Sequence, residues 1–117
     1  MIHYIDESLL SWDENGNEVA DTEEWVEFDR ELEAWDAEMK SRGILVGGGA
    51  LRPVRETTTL RVRSGELMVT DGPFAETKEQ VAGYGVLECP SLEVAIEVSS
   101  RHPTAKIGTF ELRRFQE

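Results

Sequence analysis

The residues best suited to chemistry gather between Thr70 and Tyr84. A turn-forming Asp71-Gly72-Pro73 leads into Phe74, followed by Glu76, Lys78 and Glu79, all between two strand-like runs. Gly72-Pro73 fixes the turn after Asp71 and so orients its carboxylate at the mouth of a strand. There Asp71 can act as a general base, or accept a hydrogen bond from a small substrate, with Glu76 and Lys78 as polar neighbours. The same residues also make ordinary turn chemistry, with Asp71 accepting from following backbone N–H groups and Phe74 plugging the core. Both readings stay open. The candidate site is Asp71 as the catalytic group, with His3, Gly72, Pro73, Phe74, Glu76, Lys78 and Tyr84 as ligand contacts.

Elsewhere the chemistry is sparse. His102 precedes Pro103 at a helix end, where the dipole favours an imidazolium, so a structural role is expected. His3 lies mid-strand, where it can line a barrel. Cys89, beside Pro90, reads as a small apolar residue rather than a nucleophile, and a lone cysteine closes no internal disulfide. Two histidines and one cysteine, without His-x-His or Cys-x-x-Cys spacing, argue against a zinc site, and no metal site is assigned, though a carboxylate-only site stays open in so acidic a chain. No nucleophile elbow is visible, and Gly47-Gly48-Gly49 is no phosphate loop because no Gly-Lys-Ser/Thr follows. No cofactor is expected. Arg61 and Arg63 either hold an anion or keep a strand edge soluble, the second being favoured.

The elements that must position these residues follow from periodicity. Met1–Ile5 reads as a strand, with His3 on the face opposite Ile2 and Tyr4. Residues 6–20 form a polar, mobile loop that Leu9, Leu10 and Trp12 partly pin. Asp21, with Glu24 in capping-box spacing, opens a helix ending at Gly43. Its stripe of Trp25, Phe28, Leu32, Trp35 and Met39 is the face packed on the sheet rather than a cofactor platform. Ile44-Leu45-Val46 starts a strand whose glycines form a bulge or a close approach. Strands at 57–63 and 66–70 flank the Ser64-Gly65 turn as a hairpin. A strand at 83–89 precedes a helix capped by Ser91, with Leu92, Ala95, Ile96 and Ser99 on its buried side. Ile107–Phe115 is the last strand, with Phe110 and Leu112 inward.

This order predicts an α+β chain, a ferredoxin-like βαββαβ sandwich with an inserted hairpin. Two helices cover one face of the sheet, and burial of the other against a second copy predicts a homodimer. A chain of 117 residues fits a single domain, 1–117. No apolar run is long enough for a membrane span, and no signal peptide is visible, so a cytoplasmic protein is expected. Charge is uneven: residues 1–42 hold 14 acidic against 3 basic side chains and the remainder 10 against 9, together the net −12. So acidic a first third argues against nucleic-acid or membrane partners.

Asp71-Gly72-Pro73-Phe74-Ala75-Glu76-Thr77-Lys78-Glu79-Gln80 resembles the signature of the DGPF branch of the YCII-related family. Gly43–Gly48 and Ile107–Arg113 are similar to its flanking segments, and the resemblance covers roughly residues 22–117. It implies a dimeric α/β barrel whose sheets pack face to face. The Asp71 loop, Gly47–Gly49 and the barrel such a dimer would enclose point to a small organic molecule bound between sheet and DGPF loop, with enzymatic turnover open. The resemblance also implies, loosely, an alternative regulatory or protein-interaction role linked to sigma-factor signalling. That reading would use the acidic helix face around Asp29, Glu33 and Asp36. YCII-like proteins are candidate enzymes through a His–Asp pair whose histidine comes from the first helix. Residues 21–42 contain no histidine, so that proton transfer does not carry over.

Overall fold

The computed structural model describes residues 1–116. Its strands and helices run β1 (Ile2–Ile5), α1 (Glu23–Ser41), β2 (Leu45–Ala50), β3 (Thr58–Arg63), β4 (Glu66–Asp71), β5 (Gln80–Leu87), α2 (Leu92–Ser100) and β6 (Thr109–Glu111). Four strands form an antiparallel sheet in the order β2-β5-β1-β6, and β3-β4 pair separately. The fold is α+β with ferredoxin-like strand order. Both helices lie on one face, where Trp35 and Met39 of α1 meet Val98 of α2 and Ile44 in the buried core.

Helix α1 starts one residue later than its sequence suggests. Thr22, not Asp21, is the N-cap, its hydroxyl accepting from the Trp25 N–H at 3.2 Å. Asp21 instead accepts from the Ser11 hydroxyl and ties down the preceding loop. At the other end the Gly43 N–H donates to Lys40 O and the Ile44 N–H to Met39 O. With Gly43 at φ +69° this is a Schellman stop. The predicted stripe splits: Trp35 and Met39 are buried, whereas Trp25, Phe28 and Leu32 are only partly covered. The first half of α1 stands off the sheet.

Helix α2 buries Ala95 and Ser99 as expected, but its covered face is rotated away from Leu92 and Ile96. Val94, Ala95, Val98 and Ser99 turn inward, while Leu92 and Ile96 are exposed. Two i, i+4 apolar pairs compete on this short helix, and the Trp35 indole N–H, donating to Val98 O at 2.8 Å, settles its rotation. Strand β5 starts three residues early because Tyr4 and Ile5 pair with Val81 and Gln80. Strand β6 is shorter than predicted: it starts late because the Ile107 and Gly108 N–H groups are taken by Thr104 O, and it ends at Glu111, opposite Ile2 where β1 begins.

Residues 6–20 are tied down at several points. Glu7 accepts from the Val54 N–H at 2.8 Å, and Asp13 holds the Asn15 and Asn17 N–H groups in an Asx turn. Arg52 clasps that turn, donating to Asn17 Oδ1, the Asn15 carbonyl and Glu56. The hairpin β3-β4 is the opposite case. Every strand residue in it except Thr59 is exposed. Leu60 faces Val69 and Val62 faces Leu67, so one side of the hairpin carries an uncovered apolar patch, with the Thr58–Asp71 pair at its end. No helix of the described residues is long and apolar enough to cross a membrane.

Candidate functional site

A cleft of about 390 Å³ lies between α1, from Phe28 to Lys40, and the sheet. Phe28, Leu32 and Trp35 form its helical wall, β2 its opposite side, and Leu10 and Glu18 bring the 6–20 loop to it. The void follows from sequence: opposite a large apolar stripe, β2 offers Gly47, Gly48 and Gly49, which have no side chains to fill it. Gly48 sits at φ +116°, and a Cβ there would run into the Tyr84 carbonyl oxygen, so this approach of β2 to β5 needs glycine.

His3 forms the inner wall. Its register partner is Gly83, and the ring lies over Gly83 and Gly85. Cβ atoms on those glycines would sit 3.4 Å from His3 Nδ1 and 3.9 Å from Nε2. The ring meets Phe110 edge-on at 4.6 Å and His102 at 5.1 Å, and His102 in turn meets Trp35 at 4.6 Å. His3 Nε2 is buried and has no hydrogen-bond partner among the described residues.

Burial holds His3 down to about 4, the neighbouring N-terminal charge adding to it. Burial also holds His102 down to about 4, with the His3 charge as the lesser cause. Both rings are therefore neutral at pH 7, which corrects the imidazolium expected at His102. The reason is geometric: α2 ends at Ser100, and the ring folds inward, 2% exposed, instead of capping the helix C-terminus. His102 Nδ1 accepts from the Thr104 N–H at 3.1 Å, which leaves the ring proton on Nε2. Glu18, exposed at the cleft mouth, has its carboxyl pushed up by partial desolvation and then by Asp29. Burial pushes the Cys89 thiol up, so it is a poor nucleophile at neutral pH.

Of the residues picked from sequence, the cleft gathers His3 and Tyr84 and none of 71–78. Strand alternation turns the Tyr84 side chain away from Gly83 and Gly85, toward the open face of the sheet, so its backbone meets the cleft. Asp71 closes β4 opposite Thr58 and is exposed. Gly72, at φ +91°, is fixed by its N–H to Thr57 O at 2.7 Å and its carbonyl to the Thr59 hydroxyl at 2.7 Å. Phe74 is 78% exposed, so it is no core plug. Pro73 is partly covered, and Glu76 and Lys78 lie exposed in the loop leading to β5. The sequence reading missed Glu18, Phe28, Leu32, Trp35 and His102 as cleft residues. The signal was the coincidence of glycines on two neighbouring strands with an aromatic stripe on the helix above them. Among the described residues no group of three or more His, Cys, Asp or Glu is placed to hold a metal ion.

The YCII-related domain matches residues 9–117. An uncharacterised protein of Rhizobium meliloti (strain 1021) is 35% identical over 115 residues, covering 94% of this chain and 85% of its own. The chain belongs to the YCII-related domain family.

Proposed function

We propose that this protein is a homodimeric small-molecule binder whose ligand occupies the cleft between α1 and the sheet. The observation that carries the proposal is His3 Nε2, a buried polar atom without a partner among the described residues, in the wall of an apolar cleft. Leaving such a group unmet costs about 1–3 kcal/mol, and sites that bind small molecules combine apolar walls with a few converging polar groups. The position of the cleft favours a ligand under α1 over one between sheet and DGPF loop.

Exposed surface supports the dimer. A compact chain of 13.2 kDa exposes about 6,400 Å², whereas this one exposes 8466 Å². The excess of about 2,000 Å² exceeds the ~800 Å² per partner of a standard interface. The hairpin's apolar side contributes to the exposed surface, with Leu60, Val62, Leu67 and Val69 57–64% exposed. A hairpin alone is marginal in water, so a covering surface is needed, and a second copy supplies it symmetrically.

Two measurements test the proposal. Sedimentation velocity of the purified protein is expected to give a dimer that Leu60→Lys with Val69→Lys dissociates. A monomeric wild type would refute the dimer and leave the hairpin to another protein, as the interaction-module alternative requires. A thermal-shift screen of neutral small molecules is expected to find stabilisers whose effect is lost in His3→Phe. Stabilisers indifferent to that change would move the site elsewhere.

A further inference from the structure

Resting on the cleft as the binding site, we infer that its ligand is an uncharged, flat, two-ring molecule whose hydroxyl group hydrogen-bonds His3 Nε2. Size comes first. A dry cavity of ~150 Å³ accepts one benzene, and about 390 Å³ leaves room for two rings. Shape comes from the walls: Phe28, Leu32 and Trp35 form one side and the side-chain-free backbone of Gly47–Gly49 the other, a slot suited to a planar body.

Charge narrows the class. The lining carries two carboxylates, Glu18 and Asp36, against two ammonium groups, Lys40 and the Met1 N-terminus, so no net positive charge invites an anion, and Asp29 adds negative potential at Glu18. Residues 1–42, which supply α1 and the 6–20 loop, hold 14 acidic against 3 basic side chains. An anion entering here passes Glu18, Asp36 and that acidic segment and loses its hydration, while the Met1 ammonium at the inner end is already engaged by the Gly85 carbonyl. A cation would be drawn to the mouth, but the inner wall offers imidazoles rather than an anion. A hydroxyl answers a neutral imidazole nitrogen in either tautomer, donating to a lone pair or accepting from an N–H. The Met1 methyl lies over Gly85 beside His3, and its flexible thioether is the part that shifts to let the hydroxyl reach Nε2.

Calorimetric titration with naphthalene, 1-naphthol, 1-naphthoate and 1-naphthylmethylammonium tests the inference. In the wild-type protein 1-naphthol is expected to bind about five- to tenfold tighter than naphthalene, the worth of one neutral hydrogen bond. Both ions are expected to bind at least about tenfold more weakly than the naphthol. In His3→Phe the naphthol preference disappears, and in His3→Asn, which keeps a donor and an acceptor, part of it survives. Naphthalene and naphthol binding equally to wild type would overturn the His3 assignment while leaving the cleft as a site. An ion binding tightest would overturn the uncharged class. If none of the four binds, both the inference and the cleft as the binding site fall.

Discussion

Mild acidification should destabilise this protein before most of its carboxylates titrate, because its two histidines are buried as neutral rings. Each is held down to about 4 in the folded state, against about 6.5 when unfolded. Between these values the unfolded chain binds more protons, so stability is complete above pH 6.5 and is lost as pH falls toward 4. Lowering the pH from 7 to 5 removes about 2 kcal/mol through a ring shifted this far. His102, 2% exposed, should show nearly all of that. His3 borders the open cleft, so its share is smaller, and repulsion between two protonated rings makes the contributions non-additive. The pair together is worth about 2–3 kcal/mol over that range. Urea unfolding at pH 7, 6 and 5 measures it, with His102→Asn as the comparison, since asparagine can still cap the Thr104 N–H but takes up no proton. The variant should be less stable at pH 7 and lose less on acidification; subtracting the two curves cancels the carboxylates common to both. A wild-type stability that is flat from pH 7 to 5, or a variant with the same slope, would refute the buried neutral pair.

Three further outcomes are expected. Gly48→Ala places a Cβ against the Tyr84 carbonyl at a φ of +116° and should cost more than about 2 kcal/mol in chemical denaturation; a neutral effect would mean that β2 does not lie so close to β5. Thr22→Ala should lose about 1 kcal/mol as the N-cap of α1, while Asp21→Ala, which only removes an exposed bond to Ser11, should lose less; urea midpoints decide the order. Asp71→Asn should leave ligand affinity in the cleft unchanged, and a large loss in titration would bring the DGPF turn back into the site.

Much of the architecture was legible in the residues. The 3-4-3-4 spacing from Trp25 to Met39, the Gly43 stop and the Ser64-Gly65 turn each have a local cause, and each stands where that cause puts it. What local pattern does not decide came out differently. The rotation of α2 hangs on a tertiary bond from Trp35 to Val98, and the late start of β6 on the Thr104 carbonyl. His102 looked like a helix-end cation because its burial under Trp35 comes from a residue 67 positions earlier in the chain. The site was less legible than the fold. The DGPF turn gathers polar residues in sequence, which made it conspicuous. The cleft instead joins His3, Glu18, the α1 stripe and three glycines from separate segments, and glycines advertise space only once their neighbours are known. Of the ligand contacts expected from sequence, His3 and Tyr84 border the cleft.

The most direct test of the account is native mass spectrometry after incubation with neutral two-ring fragments, run on wild type and His3→Phe side by side. The account predicts a dimer carrying one fragment per chain in the wild type, with hydroxylated fragments held least well by the variant. Bare chains with every fragment, or adducts indifferent to His3, would contradict it.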